Sequence, residues 1–238
     1  MNIRSENSYS ESRTTSHARA IENTTADAIK FTFAALVLIV TFVAGSAIAL
    51  AQNYEEGVNY ERLSKPQPVS TGENIEVREL FWYGCPHCYE FEPYIQRWQQ
   101  NKPENATYVP MPAMFNKSWE FHARSYYTFE ALGMVDKLHL PFFDAIHKDR
   151  KTFASIEQLT DFTSKFEVDP ALVKETFESF AVETKTRQAK VAQPGYQVTG
   201  VPAIIIDGKF RTSGQMAGDY EELLKVIDFL VDKSASER

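Results

Sequence analysis

Cysteine is scarce in this chain: 238 residues contain two, Cys85 and Cys88. They stand three positions apart, so no disulfide can join distant segments, and a bridge closing so short a loop constrains the unfolded chain little. Stability must therefore come from packing. Basic charge is also in short supply, with 25 Lys and Arg against 32 Asp and Glu and a formal net charge of -7. No run of Lys and Arg is present that could track a phosphate backbone, which argues against nucleic acid as a partner. Ten glycines and eleven prolines are too few for a collagen or a low-complexity tail. Long apolar runs are missing except for one, Phe31 to Ala51, which excludes a multi-span membrane protein. What the chain does hold is aromatic bulk: 17 Phe, 11 Tyr and 3 Trp, enough to fill a sizeable core.

The apolar run is long enough to span a bilayer, and its end, Ala49-Leu50-Ala51, has the small-x-small pattern that a signal peptidase cuts. Cleavage after Ala51 leaves Gln52 as the new N-terminus. A retained single-span anchor is the alternative, whereas a buried core helix would need a polar face that the run lacks. Ahead of it, Arg4, Arg13, Arg19 and Lys30 are balanced by Glu6, Glu11, Glu22 and Asp27, so the positive-inside signal is weak. Both leading readings place residues 52–238 outside the cytoplasm, with residues 1–51 as an N-terminal leader.

From Ile75 to Tyr83 the pattern predicts a half to fully buried strand, with Ile75, Val77, Phe81 and Tyr83 on one face and Glu79 interrupting it. Cys85 follows at a helix start: Pro86 suits the first helical position, and Phe91, Tyr94, Ile95 and Trp98 recur at helical spacing, with Pro93 expected to kink the helix. Residues 116–184 read as helical throughout. A stop is expected at Gly133, a capping box at Ser155 and Gln158, and a cap with an N1 proline at Asp169-Pro170, ahead of Leu172, Val173, Phe177 and Phe180. The tail returns to strands, Ala203 to Ile206 and Lys209 to Thr212 around an Asp207-Gly208 turn, and ends in a helix capped at Asp219 and Glu222. The order predicts an α/β core, residues 52–115 and 185–238, interrupted by a helical insertion at 116–184.

A Cys-x-x-Cys pair at a helix start suits reversible dithiol chemistry, because unpaired N–H groups and the positive end of the dipole stabilise the first thiolate. A low thiol pKa stabilises the reduced form and makes the disulfide a stronger oxidant. Pro86 fixes the backbone and removes a donor, and His87 either points a ring N–H or a positive charge at the Cys85 sulfur or is an exposed surface imidazole. Zinc needs four ligands, and His17, His122, His139 and His147 show no useful ligand spacing, so they are expected at the surface or packed between helices. Covalent c-type haem needs a histidine after the second cysteine, where this chain has Tyr89. Glu79 either relays protons to and from Cys88 or is paired with a lysine or arginine at the sheet margin. Gly200-Val201-Pro202 reads by itself as a turn into a strand.

The stretch FWYGCPHCYEFEP, Phe81 to Pro93, closely resembles the active site of the DsbA family of periplasmic thiol oxidases. TGVPAIIIDGKF, Thr199 to Phe210, is similar to that family's second signature, and AQNYEEGVNYERLSKP, from Ala51, to its mature start. The resemblance spans residues 51–238 and implies a thioredoxin fold with an all-helical insertion. It implies that Cys85 is the exposed nucleophile, Cys88 the buried resolving thiol and Glu79 the buried acid. It further implies that Val201-Pro202 is a cis-proline loop facing the cysteines, where an extended substrate pairs by strand addition. The strongly oxidising behaviour of DsbA is a worked example of thiol tuning and enters here as the family's property. The stretch Thr107 to Pro112, TYVPMP, departs from the family by lacking a lysine near the buried acid. The expected partners are reduced, unfolded exported proteins and, as reoxidant, a DsbB-type membrane quinone reductase; no cofactor is expected in the chain itself. Residues 52–74 are too few for an added dimerisation domain, so a monomer is expected rather than a dimeric isomerase. A holdase that uses its cysteines only incidentally is the reading from a different class.

Overall fold

The computed structural model describes residues 54–238. The leader and its apolar run at 31–51 lie outside the described residues. Among those described, no helix is long and apolar enough to cross a membrane.

Five strands form one mixed sheet in the order β1-β5-β4-β2-β3: β1 (Glu61–Arg62), β2 (Ile75–Phe81), β3 (Ala106–Pro112), β4 (Ala203–Ile206) and β5 (Phe210–Thr212). The β2/β3 pair is parallel and the other pairs antiparallel. The parallel pair requires a crossover, supplied by α1 (Pro86–Asn101). The β4/β5 pair closes through Asp207 and Gly208, both at positive φ, 52° and 64°. That is the backbone a two-residue hairpin turn demands, and Asp-Gly supplies it at low cost.

Between β3 and β4 run five helices: α2 (Lys117–Ala131), α3 (Val135–His147), α4 (Ile156–Ser164), α5 (Pro170–Phe177) and α6 (Phe180–Ala192). A short helix α7 (Gly214–Ala217) and the long α8 (Tyr220–Ser236) follow β5. This is the expected thioredoxin fold with a helical insertion. Gly133 ends α2 at φ 66°, Ser155 and Gln158 form the capping box of α4, and the Asp169 and Asp219 side chains cap α5 and α8.

Two expectations are corrected. The boundary at 184/185 falls inside α6, whose buried side is Val182, Thr186 and Ala189; small and polar residues on that stripe hide the apolar periodicity. Phe180 does not continue the stripe of α5, because Ser179 breaks the chain there and caps a new helix by accepting from the Val182 N–H. Phe180 is left 81% exposed. Helix α1 continues through Pro93, and α3 through Pro141.

Two apolar cores flank the sheet. Ile75, Val77, Ile204 and Ile206 pack with Phe91, Ile95 and Trp98 of α1 and with Leu223, Ile227 and Leu230 of α8. Leu80, Phe81, Met111 and Ile205 belong to the other core, with Phe129, Phe142, Phe143 and Phe162 of the helical block. Strand β2 is therefore covered on both faces, as its near-continuous burial shows. Both carboxylates of β2, Glu76 and Glu79, are 1% exposed; Glu76 is paired with Arg78 and Ser70, which leaves Glu79 as the unusual one.

Candidate active site

The polypeptide leaves β2 at Phe81 and turns through Trp82, Tyr83 and Gly84, where the Cys85 N–H donates to the Trp82 carbonyl at 2.9 Å. Gly84 is required by space: a Cβ there would lie 2.3 Å from an indole carbon of Trp82. The Trp82 ring is in turn stacked on Trp119 of α2, with centroids 4.2 Å apart and planes within 7°. Cys85 is the N-cap residue of α1, with Pro86 at the first helical position.

The two thiols are driven apart in acidity. The Cys85 thiol is lowered to about 6, first by a hydrogen bond from Cys88, then by the backbone N–H groups of Cys88 and His87, against an opposing effect of burial. These are the unpaired donors of a helix N-terminus. Cys88, fully buried, is pushed well up by desolvation and by donating to Cys85. Cys85 is less open than expected, at 8% exposure. The reason is local: its Sγ lies 3.4 Å from the Val201 carbonyl oxygen. The Val201-Pro202 peptide is cis.

Of the two readings of His87, the geometry fits the exposed imidazole. Its side chain is 71% exposed and its Nδ1 lies 3.1 Å from Glu90 Oε2. Its charge is the last of five causes acting on Cys85, and its backbone N–H contributes more. The His87 carbonyl accepts from the Tyr220 hydroxyl at 3.0 Å, which ties the start of α1 to α8.

Glu79 is 1% exposed and sits in register between Pro110 of β3 and Ile204 of β4. Among the described residues no lysine or arginine pairs with it. The Tyr108 hydroxyl donates to Oε2, and Oε1 has no hydrogen-bond partner among the described residues. Burial, followed by the nearby carboxylate of Glu92, pushes the Glu79 carboxyl well up, with the Tyr108 bond opposing. Tyr108 of β3 thus offers Glu79 a neutral donor rather than a cation. Sequence reading passed over Tyr108 because a tyrosine in a strand reads first as packing.

The sequence reading expected the histidines at the surface or packed between helices, without naming their partners. His122 Nε2 donates to the Phe153 carbonyl at 3.1 Å, and burial lowers that imidazole to about 4, so it is neutral. His139 and His147 of α3 both reach Tyr83, two residues before Cys85. Among the described residues no cluster of His, Cys, Asp and Glu could hold a metal ion. Beside the cysteines lies a groove of about 950 Å³, whose lining includes His87, Tyr94, Val201, Pro202, Met216 and Tyr220.

A family profile described as a DSBA-like thioredoxin domain matches residues 107–225. The thiol:disulfide interchange protein DsbA of Pseudomonas aeruginosa is 42% identical over 185 residues, covering 78% of this chain and 88% of its own length. The chain belongs to the DsbA family. The DsbA of Burkholderia cepacia is 33% identical over 197 residues, 82% of this chain and 93% of its own. The crystal structure of P. aeruginosa DsbA superimposes with a TM-score of 0.75 at 41% identity, covering 79% of this chain and 99% of that one. As a DsbA-family member the chain is a thiol:disulfide oxidoreductase, and Cys85 and Cys88 are its only cysteines. The DsbA assignment leaves open which side chains carry the exchange and how the protons move.

Proposed function

We propose that this DsbA-family protein oxidises exported chains, with Cys85 as the attacked sulfur and Cys88 as the resolving thiol. The observation that carries the reading is the opposed tuning of two sulfurs at one helix start, one lowered to about 6 and one raised. In the oxidised enzyme a substrate thiolate attacks Cys85 Sγ, forming a mixed disulfide and expelling Cys88 as a thiolate. Cys88 is too basic to stay ionised in its buried place, so it takes up a proton, which Glu79 supplies from a carboxyl held protonated by burial. A second substrate thiolate then attacks the substrate sulfur of the mixed disulfide. Cys85 leaves readily as a stabilised thiolate. The substrate loses two electrons and gains a disulfide; the enzyme gains both electrons as a dithiol.

The groove beside Cys85 and the Val201-Pro202 loop supports recognition of an extended, unfolded segment, with Val201 and Pro202 as substrate-binding residues. Reoxidation falls to a DsbB-type membrane quinone reductase docking at the same cysteines, in keeping with the resemblance noted in the sequence. The protein works in the periplasm as a monomer, with the leader directing export. The direct test mixes oxidised protein with a reduced peptide bearing two thiols. One peptide disulfide should form per protein molecule, and Cys85→Ser or Cys88→Ser should each abolish the transfer. Transfer persisting in Cys85→Ser would remove that sulfur from the role given to it.

A further inference from the structure

Helix α3 belongs to the insertion, yet one of its faces is turned to the redox turn. His139, Phe143 and His147 are spaced four apart and share one stripe. His147 Nε2 lies 2.8 Å from the Tyr83 carbonyl oxygen. A carbonyl only accepts, so His147 donates there, and its ring stacks on Tyr89 of α1 with planes within 4°. His139 Nδ1 lies 2.7 Å from the Tyr83 hydroxyl, and its Nε2 lies 3.1 Å from Glu92 Oε1. A carboxylate only accepts, so His139 Nε2–H donates to Glu92, and Nδ1 shares the second bond with the Tyr83 hydroxyl. Tyr83 is fully buried, and burial keeps its phenol protonated. Glu92 is buried as well, and Gln96 donates to its other oxygen at 3.0 Å. The Tyr89 hydroxyl donates to Asp144 of α3 at 2.7 Å.

Tyr83 is thus held at two points by one helix, and the same helix grips α1 through Glu92 and Tyr89. Between these grips lie Gly84 and Cys85, and glycine leaves the turn no stiffness of its own. We propose that His139 and His147 are positioning residues through which the helical insertion sets the redox poise of the cysteine pair. They fix the Tyr83–Cys85 turn so that Cys85 Sγ stays in front of the Cys88 and His87 N–H groups. The proposal rests on the reading of Cys85 as the reactive thiolate. It assigns the insertion a chemical part beyond covering the sheet.

The test uses the full chain with Tyr83→Phe, His139→Phe and His147→Phe. Each keeps a ring in place and removes one hydrogen-bonding partner of the clamp. Equilibrium with glutathione and the thiolate absorbance of Cys85 are read for each, alongside melting curves of the oxidised and reduced forms. Each variant should lose about threefold or more in its preference for the reduced form, the scale of one net hydrogen bond, with Cys85 titrating higher. Tyr83→Phe combined with His139→Phe should go no further than the larger single change, because both remove the same bond. Lower melting temperatures in both redox forms with an unchanged glutathione equilibrium would overturn the clamp and leave a packing role. The parent protein keeps the two readings apart. If its own Cys85 does not titrate low, the underlying assignment fails; if it does and the variants match it, only the clamp fails.

Discussion

At the scale of single residues the site works by giving like groups unlike surroundings. Cys85 and Cys88 are both covered, but one faces N–H donors and the other faces apolar side chains and a buried acid. The linkage has a definite sign. A thiol lowered to about 6 in the folded protein stabilises the reduced form fully above the pKa of an unfolded thiol, about 8.5. That stabilisation is lost as the pH falls through about 6. At pH 7 it amounts to about 1.4 kcal/mol, a factor of ten. Melting curves of the dithiol protein should therefore gain over those of Cys85→Ser between pH 6 and pH 8.5 and converge with them below pH 6. Glu79 runs the other way. Its carboxyl is raised, so folding disfavours its ionisation, and the penalty grows as pH rises above the ordinary carboxylate range. Glu79→Gln should raise the melting temperature at pH 7, with the gain vanishing near pH 4, while slowing thiol exchange. Unaltered exchange across pH would remove Glu79 from the proton path. For His87 the sequence left two readings open, because periodicity says where a residue sits on a helix, not which way an exposed ring points.

At the scale of elements, the caps and turns were the most legible parts, because each rests on a local hydrogen bond that the chain spells out. Ser155 with Gln158, Asp169-Pro170, Asp207-Gly208 and Asp219 all do what their chemistry dictates. The end of α5 was harder to read, since Ser179 interrupts an apolar stripe without glycine or proline to announce it. Replacing that cap, Ser179→Ala, should cost about 1 kcal/mol of stability and leave redox behaviour untouched, because α6 lies away from the cysteines. Gly84→Ala acts instead at the redox turn itself. The added Cβ collides with Trp82, so the stack on Trp119 must open. Tryptophan fluorescence should change, and a loss of about 1–3 kcal/mol is expected for such overpacking. A stack surviving in Gly84→Ala with unchanged fluorescence would contradict the close approach described.

At the scale of the whole molecule, the order strand, helix, helical block, hairpin, helix was visible in the changing period of the apolar pattern, and the resemblance turned that order into a thioredoxin fold. Long-range pairing was not visible. Nothing local to Tyr108 says that it will meet Glu79, and nothing local to His139 or His147 says that both will meet Tyr83, since these contacts join elements far apart in the chain. Such partners emerge only once two apolar cores have closed over β2. A chain beginning at Gln52 contains every described element and should oxidise thiols as the full chain does. The central claim is that the Cys85–Cys88 pair is an oxidant, and a glutathione redox titration followed by the fluorescence of Trp82 tests it most directly. The account predicts a potential well above about -270 mV, the value of the reductant thioredoxin. A potential at or below that value would contradict it.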